Sequence, residues 1–452
     1  MTTPELPRPA PGGLSGAGRD EDRWVVTHSH VRGVLVAVVG TVAALVLQRP
    51  DLLVLVTPVA LVVVWSSVER PRRRTRAWSR LGRTVATEGD RHAVRVGVTT
   101  VPGAELVSTS LAPRPWIRRR PEHGARVGLV DAEDVERGEI RLVTGADPLR
   151  WGFHAVGPVL VGAVSPWGAF RWGPVPLAEA RIRVLPDPAA FDATAPAPHP
   201  RGLVGRHRST RPGEGSEFAS IRPFQWGDRL KRIHWARSLR SGELHVTSSY
   251  ADQDTHVAVL VDAHIDLGRS EGTGGAASSL DRSVRAAAAM AEHFLHGGDR
   301  VSLQVFSGEM PLRVPPGTGR RHSHRVREVL SRVAPAHQHD GGHRRLRLGL
   351  GDGALVVMVS ALVSPEALTH AAALVRSGLT VVVIDALGED FELPSDWEPL
   401  DVLAWRVRLL ERDREVRRIQ QAGVPVVAWK GPGSLDPVLR SLARRGRSRV
   451  SL

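Results

Sequence analysis

The run His256-Val257-Ala258-Val259-Leu260-Val261-Asp262 is short, β-branched and closed by a carboxylate, and Ala354-Leu355-Val356-Val357-Met358-Val359 repeats the pattern without a polar residue. Neither run alternates polar with apolar positions. Strands of this kind are covered on both faces, as in a parallel sheet. Around them, strand-like and helix-like segments take turns. Leu280–His296 has helical spacing, Arg300–Phe306 reads as a strand and Arg321–Val333 as a helix. Pro365–Arg376 follows as a helix, Leu379–Ile384 as a strand, Trp405–Gln421 as a charged helix, Val424–Trp429 as a strand and Leu435–Arg444 as a last helix. Such alternation predicts an α/β domain over 255–446, a parallel sheet with helices on both faces. Its ligand edge lies where the strands end, here from Asp262 to Asp266.

Upstream, 84–190 carries short alternating stretches broken by Gly and Pro: His92–Val98, Ala104–Leu111, Ala125–Val130, Glu139–Val143, Val159–Val164 and Ala180–Val184. They predict a small antiparallel β-sandwich or barrel. The Pro-, Ala- and Arg-rich 191–212 reads as a linker, and residues 1–30, rich in Pro, Gly and acids, as a mobile tail.

Two uncharged apolar runs, Gly33–Leu47 and Leu52–Trp65, flank Gln48-Arg49-Pro50-Asp51. Each is shorter than the roughly 20 residues a spanning helix needs. A soluble helix would carry a polar stripe, and these have none. With Ser66-Ser67-Val68 added and Arg32 and Arg49 snorkelling, 31–68 reads as a short transmembrane hairpin. Arg70, Arg72, Arg73, Arg74 and Arg76 follow directly, and positive residues beside a span stay cytoplasmic. Two crossings then leave both termini in the cytoplasm.

The formal charge is +14, with Lys supplying only 2 of the 61 basic residues. Most of the excess is local: Glu69–Arg83 and Arg201–Tyr250 contribute +6 each. The first patch suits anionic headgroups at about 1 kcal/mol per basic residue. The chain contains no cysteine, which excludes disulfides, thiolate metal sites and cysteine nucleophiles. Neither a nucleophile elbow nor a phosphate-binding Gly-rich loop is present, and the Asp228 and His234 pair lacks a nucleophile. An enzyme is therefore not expected, and no cofactor.

The densest stretch lies in 213–250, where Phe218, Phe224, Trp226 and Trp235 are interleaved with Arg222, Lys231, Arg237 and Arg240. Gly227-Asp228 signals a turn, and Ile233-His234-Trp235 the start of a strand or helix after it. Three readings compete. In the first, Glu217 and Asp228 pair with Arg222, Arg237 or Arg240 and staple the segment down. In the second, Trp and Arg anchor a protein partner. In the third, the cations and aromatics hold nucleic acid, against which the acids and the membrane anchor count. The staple, shading into an interface, is favoured.

The Glu217-Phe218 pair, Arg222-Pro223-Phe224, Gly227-Asp228 and Ile233-His234-Trp235, followed by Ser238-Leu239-Arg240, resemble the signature of the domain of unknown function 58 family. Ser165-Pro166-Trp167-Gly168-Ala169-Phe170 is similar to that family's Asp-Pro-x-Gly-x-Phe segment, with Ser165 in place of Asp. The resemblance implies a von Willebrand factor A-like (Rossmann-like) C-terminal domain. It also implies work with a MoxR-type AAA+ ATPase in a chaperone-like or envelope-assembly system. Metal-binding A-domains, as the resemblance implies, carry Asp-x-Ser-x-Ser after the first strand. Here Asp262 is followed by His264 and Asp266 in the hydroxyl positions, and Ser360 stands where a later Asp would. Imidazole is a poor Mg²⁺ ligand, so the loop is expected to be metal-free, with Asp262 bonded to nearby backbone. His322, His324, His337, His339 and His343 lack a tight pairing motif and read as solvated.

The expected function is a membrane-tethered protein-binding or assembly protein. The alternatives are a metal-dependent A-domain receptor and a membrane-bound nucleic-acid binder.

Overall fold

In a computed structural model, the structure describes residues 23–187, 212–250 and 256–429, apart from 227, 229, 307–311, 336–349, 351–353, 378 and 388–396. The expected linker as far as residue 211 and the final helix, together with His337, His339 and His343, lie outside the described residues, and Pro212 already belongs to a strand. The chain divides into two compact units, one ending at Leu185 and one beginning at Pro186.

The first unit opens with two helices, α1 (His28–Val46) and α2 (Asp51–Val68), joined through Gln48 to Pro50. Both are long and apolar enough to cross a membrane, and only Ala37, Ala44 and Ser66 in them are buried. That exposure separates them from core helices and is compatible with a membrane hairpin. Small residues line their seam. Ala37 and Ala44 are buried, and a Cβ added to Gly40 would sit 2.4 Å from Val56 Cγ2. Close backbone approach at small residues is how helices pack where no hydrophobic effect drives them together.

Thr27 caps α1 by accepting from the His30 amide, and Trp24 is buried with its indole N–H on Thr75 Oγ1 at 3.1 Å. Val25–Val26 pair with Arg171 and Phe170. The expected tail therefore does not extend to residue 30: from Trp24 onward the chain is held by a buried indole and a strand pairing that two-residue reading could not reveal.

The β part of this unit has a five-stranded antiparallel sheet, Val25–Val26, Phe170–Leu177, Val159–Val164, Leu106–Leu111 and Ala125–Leu129 in spatial order. A four-stranded antiparallel sheet runs Ala77–Leu81, Ala93–Thr99, Glu139–Pro148, Ile117–Arg120. A third, of Val85–Thr87, Ala180–Leu185 and Gly152–Val156, includes one parallel pair. Burial alternates along Leu106–Leu111 and Val159–Val164, so each strand sends one face inward. Val96, Val107, Val161, Trp172 and Ile182, drawn from all three sheets, share one core.

The second unit begins with β1 (Pro212–Pro223) paired antiparallel with β2 (His245–Tyr250), and between them lies α3 (Trp235–Ser241). Six strands follow: β3 (His256–Asp262), β4 (Arg300–Phe306), β5 (Leu312–Gly317), β6 (Leu355–Ser360), β7 (Thr380–Asp385) and β8 (Val426–Ala428). They form one sheet in the order β5-β4-β3-β6-β7-β8. All neighbours are parallel except β4 with β5, so the expected parallel sheet carries one antiparallel edge. That edge strand escapes the sequence because Pro315-Pro316 reads as a loop, and edges are where strands tolerate proline.

Helices α4 (Ser279–His296) and α5 (Gly319–Leu330) pack together, and α4 lies against β3, β4 and β6. Helices α6 (Pro365–Arg376) and α7 (Pro399–Gln421) pack on the face carrying Ala258, Leu260, Val356 and Met358. The unit is thus mixed α/β, layered as the alternation predicts.

Candidate functional site

The chain leaves β3 toward one side of the sheet and resumes at β6 on the other, so the strand order reverses between them. In open α/β sheets the crevice beyond such a reversal is where ligands bind. Here hydrogen bonds link the residues at the two strand ends. Ser360 Oγ, at the end of β6, donates to Asp262 Oδ2 at 2.6 Å and accepts the Leu362 amide at 2.8 Å. Asp262 Oδ1 accepts the His264 amide at 3.1 Å and pairs with His264 Nδ1 at 2.8 Å. Ser360 and Leu362 are fully buried, and Leu362 holds φ +58°, a left-handed conformation unusual for leucine. The Asp262 carboxylate raises the pKa of His264 above its ordinary value, against the cost of half-burial. The His264 ring lies 5.6 Å from Phe306, which packs edge-on against His370.

This donor set does not fit Mg²⁺. Both Asp262 oxygens are committed to protein donors, and Asp266 Oδ1 accepts the Leu280 amide at 3.1 Å near the start of α4. Among the described residues no three His, Asp or Glu side chains converge. His322, one of the sequence's metal temptations, instead bonds the Val301 carbonyl at 2.8 Å, and His324 is exposed.

Beside the crevice, α7 covers carbonyls left open by the loop after β6. Arg412 donates to Ala361 O at 2.9 Å through Nε and to Asp385, at the end of β7, through Nη2. Burial pushes the Asp385 carboxyl up and Arg412 pulls it back down. Arg408 bonds the Val363 carbonyl.

The aromatic–basic segment is organised by one ion pair. Arg222 makes two parallel bonds to Asp228, at 2.8 and 2.6 Å, and Asp228 also accepts the Gln225 amide at 2.9 Å. The fork is the bidentate geometry guanidinium favours. It holds the Asp228 carboxyl below the usual carboxylate range. Of the pairings expected for a staple, this one is present, and it closes within the segment. Gly227 lies outside the described residues, while Glu217 and Phe218 sit on β1.

Ile233 bridges Val246, and the His234 amide donates to His245 O at 2.8 Å. His234 then caps α3, its Nδ1 accepting the Arg237 amide, so Asp228 and His234 serve separate elements and form no acid–base pair. Phe224 is half-buried, its amide on Leu244 O. Trp226 is fully exposed, and Leu230, Trp235, Leu239 and Leu244 are exposed too. Trp235 and Leu239, at 61% and 81% exposure, lie one turn apart on α3, with Arg237 and Arg240 exposed around them.

A further apolar stripe was not anticipated. Leu400, Leu403, Val407 and Leu410 recur at three- and four-residue spacing along the exposed side of α7, opposite buried Trp405 and Arg412. The signal was available in the heptad spacing, but the charged residues between them masked it.

Ser165 closes the other family-like turn. Its Oγ accepts the Phe170 amide at 2.9 Å, a bond to which the hydroxyl is suited as well as a carboxylate. Trp167 within it is exposed and has φ +60°.

Uncharacterized proteins of Mycobacterium bovis and of two Mycobacterium tuberculosis strains are 33% identical to this chain over 211 residues. The match takes in 46% of this chain and 57% of theirs, so it spans little more than half the length of those relatives. Among solved structures, the pilus adhesin RrgA from Streptococcus pneumoniae aligns over 68% of this chain and 41% of its own, at 8% identity. Its TM-score of 0.16 carries no argument about fold. Residues 220–416, from the exposed aromatic segment through most of α7, match the family described as Protein of unknown function DUF58.

Proposed function

We propose that this protein is a membrane-anchored, cytoplasm-facing binding or assembly protein without turnover of its own. Its partner is a protein, a MoxR-type AAA+ ATPase, within a chaperone-like or envelope-related system. The sheet order β5-β4-β3-β6-β7-β8, with helices layered on it, supports reading the C-terminal unit as von Willebrand factor A-like. The arginines after α2 support placing both termini in the cytoplasm.

One observation carries the reading: Trp226, Leu230, Trp235, Leu239 and Leu244 are all exposed within a single short segment rich in arginine. Soluble surfaces seldom leave so many large apolar side chains uncovered, and Trp with Arg is the composition of interface anchors. The segment's own fold is held by Arg222, Asp228, His234 and Ser238, so the exposed side chains are free of structural duty. Ser360 is fully buried and donates to Asp262, which supports a structural over a nucleophilic role.

Affinity purification from gently solubilised membranes, with and without ATP and chelator, tests this. The full chain retains the ATPase in both chelator arms, and the Trp235→Ala, Leu239→Ala double variant loses it with unchanged thermal stability. Equal retention by the variant, or release of the partner by chelator, overturns the reading. A nucleic-acid partner would instead be released by nuclease.

A further inference from the structure

The turn Ser165–Phe170 places a tryptophan where its backbone favours glycine. Trp167 has φ +60° and ψ 13°, yet its side chain is 68% exposed. A bulky residue gains nothing from left-handed backbone, and an exposed indole gains nothing from water. Strain of this sort persists where it serves a contact.

The turn is fastened to the base of the helical hairpin. The Thr27 amide donates to Ala169 O at 2.9 Å, and Thr27 Oγ1 donates to Gly168 O at 2.6 Å. Thr27 is also the N-cap of α1. One turn on, the His30 ring reaches Ser66 and Ser67 in the last turn of α2, each at 3.3 Å, and lies 5.4 Å from the Phe170 ring. Arg70, just past α2, stacks over Phe170 at 5.5 Å. The turn therefore sits level with the point where both helices meet the β domain. Arg72, Arg73, Arg74 and Arg76 are exposed after it, and Trp65 is exposed one turn inside α2.

We propose that this turn is a foot by which the β domain stands on the bilayer: Trp167 enters the headgroup region of an anionic membrane while Arg70 and Arg72 to Arg74 meet the lipid phosphates. The inference rests on the membrane reading of α1 and α2. Indole rings concentrate at this depth because one edge is polar and the body apolar. The clustered guanidiniums supply the matching attraction to anionic lipid. Fixed to both helices by Thr27 and Phe170, the foot sets the pose of the β domain on the membrane, which two helices alone would leave free to swing.

The chain has no cysteine, so a single introduced thiol can be labelled without background. Trp167→Cys and, separately, Leu61→Cys in the middle of α2 are labelled with an environment-sensitive fluorophore. The full-length chain is then reconstituted into vesicles of phosphatidylcholine with or without phosphatidylglycerol. Spin-labelled lipids carry the quencher either near the headgroup or near the bilayer centre. The label at 61 is expected to be quenched most by the central probe. The label at 167 is expected to be blue-shifted and quenched most by the headgroup probe, more strongly with phosphatidylglycerol present. Quenching at 61 with water-like emission at 167 overturns the foot and leaves the hairpin standing. No quenching at 61 overturns the hairpin reading itself, and the foot with it. Hydrogen exchange on the unsubstituted protein gives a second readout. Amides of 167–170 should exchange more slowly in anionic nanodiscs than in zwitterionic ones, and equal rates also overturn the foot.

Discussion

Replacing Ser360 with alanine tests whether the sheet's carboxyl edge is held by the buried bonds assigned to it. The hydroxyl donates to a carboxylate, Asp262, at 2.6 Å and accepts the amide of fully buried Leu362 at 2.8 Å. Losing a hydrogen bond to a charged group costs about 1.5–3 kcal/mol, and an amide left buried without an acceptor about 1–3 kcal/mol. Leu362 is strained at φ +58°, and freeing it returns about 1 kcal/mol. The net loss is then about 1.5–5 kcal/mol. For a unit of this size each kcal/mol moves the midpoint by roughly 2–4 °C, so Ser360→Ala should lower the C-terminal unit's Tm by about 3–20 °C. Thermal unfolding of the full-length chain in detergent, followed by circular dichroism, measures the shift. Hydrogen exchange of 360–364 localises it. A shift within about 2 °C, with unchanged exchange at those amides, would refute the reasoning.

Three other perturbations follow from the same geometry. Gly40→Val should loosen the α1–α2 hairpin by about 1–3 kcal/mol because its Cβ meets Val56 Cγ2 at 2.4 Å, whereas Thr41→Val on the exposed side should be neutral; protease sensitivity in detergent distinguishes them. The pKa of His264 is raised by Asp262, so its stabilising contribution is complete below the unfolded value of about 6.5 and fades as pH rises through the higher folded value. The stability gap between the native chain and His264→Gln should therefore be widest at mildly acidic pH, and a gap that does not change with pH counts against the pairing. Arg412→Ala leaves the Asp385 carboxylate and the Ala361 carbonyl without their partner and should cost about 3–5 kcal/mol, while the paired Arg412→Met, Asp385→Leu should cost less; equal losses in thermal unfolding would contradict the pairing.

Local pattern alone determined a good deal of this protein. The runs His256–Asp262 and Leu355–Ser360 are strands because β-branched side chains uninterrupted by charge fit a sheet buried on both faces. Pro365–Arg376 is a helix because Ser364 caps it and a proline suits its first turn. The hairpin followed from uncharged runs around Gln48-Arg49-Pro50, and the signature segment from the density of aromatic and basic residues, which needs no third dimension to be seen.

Contacts between distant residues were decided only by the tertiary structure. Asp262 and Ser360 are 98 positions apart and meet because β3 and β6 are neighbours in the sheet. Thr27 and Gly168, 141 apart, meet because a two-residue strand too short to carry a pattern pairs with Phe170 and Arg171. The strand Ile117–Arg120 is three-quarters arginine, and β5 contains two prolines, so composition argued against both while neighbouring strands supplied the hydrogen bonds. Which aromatics of the segment are exposed was likewise invisible in the sequence, since Phe224 and Trp226 stand two residues apart and differ only in what the fold brings over them. Pattern fixes an element's type because backbone and side-chain periodicity are local, whereas burial and partnership depend on what the rest of the chain places alongside.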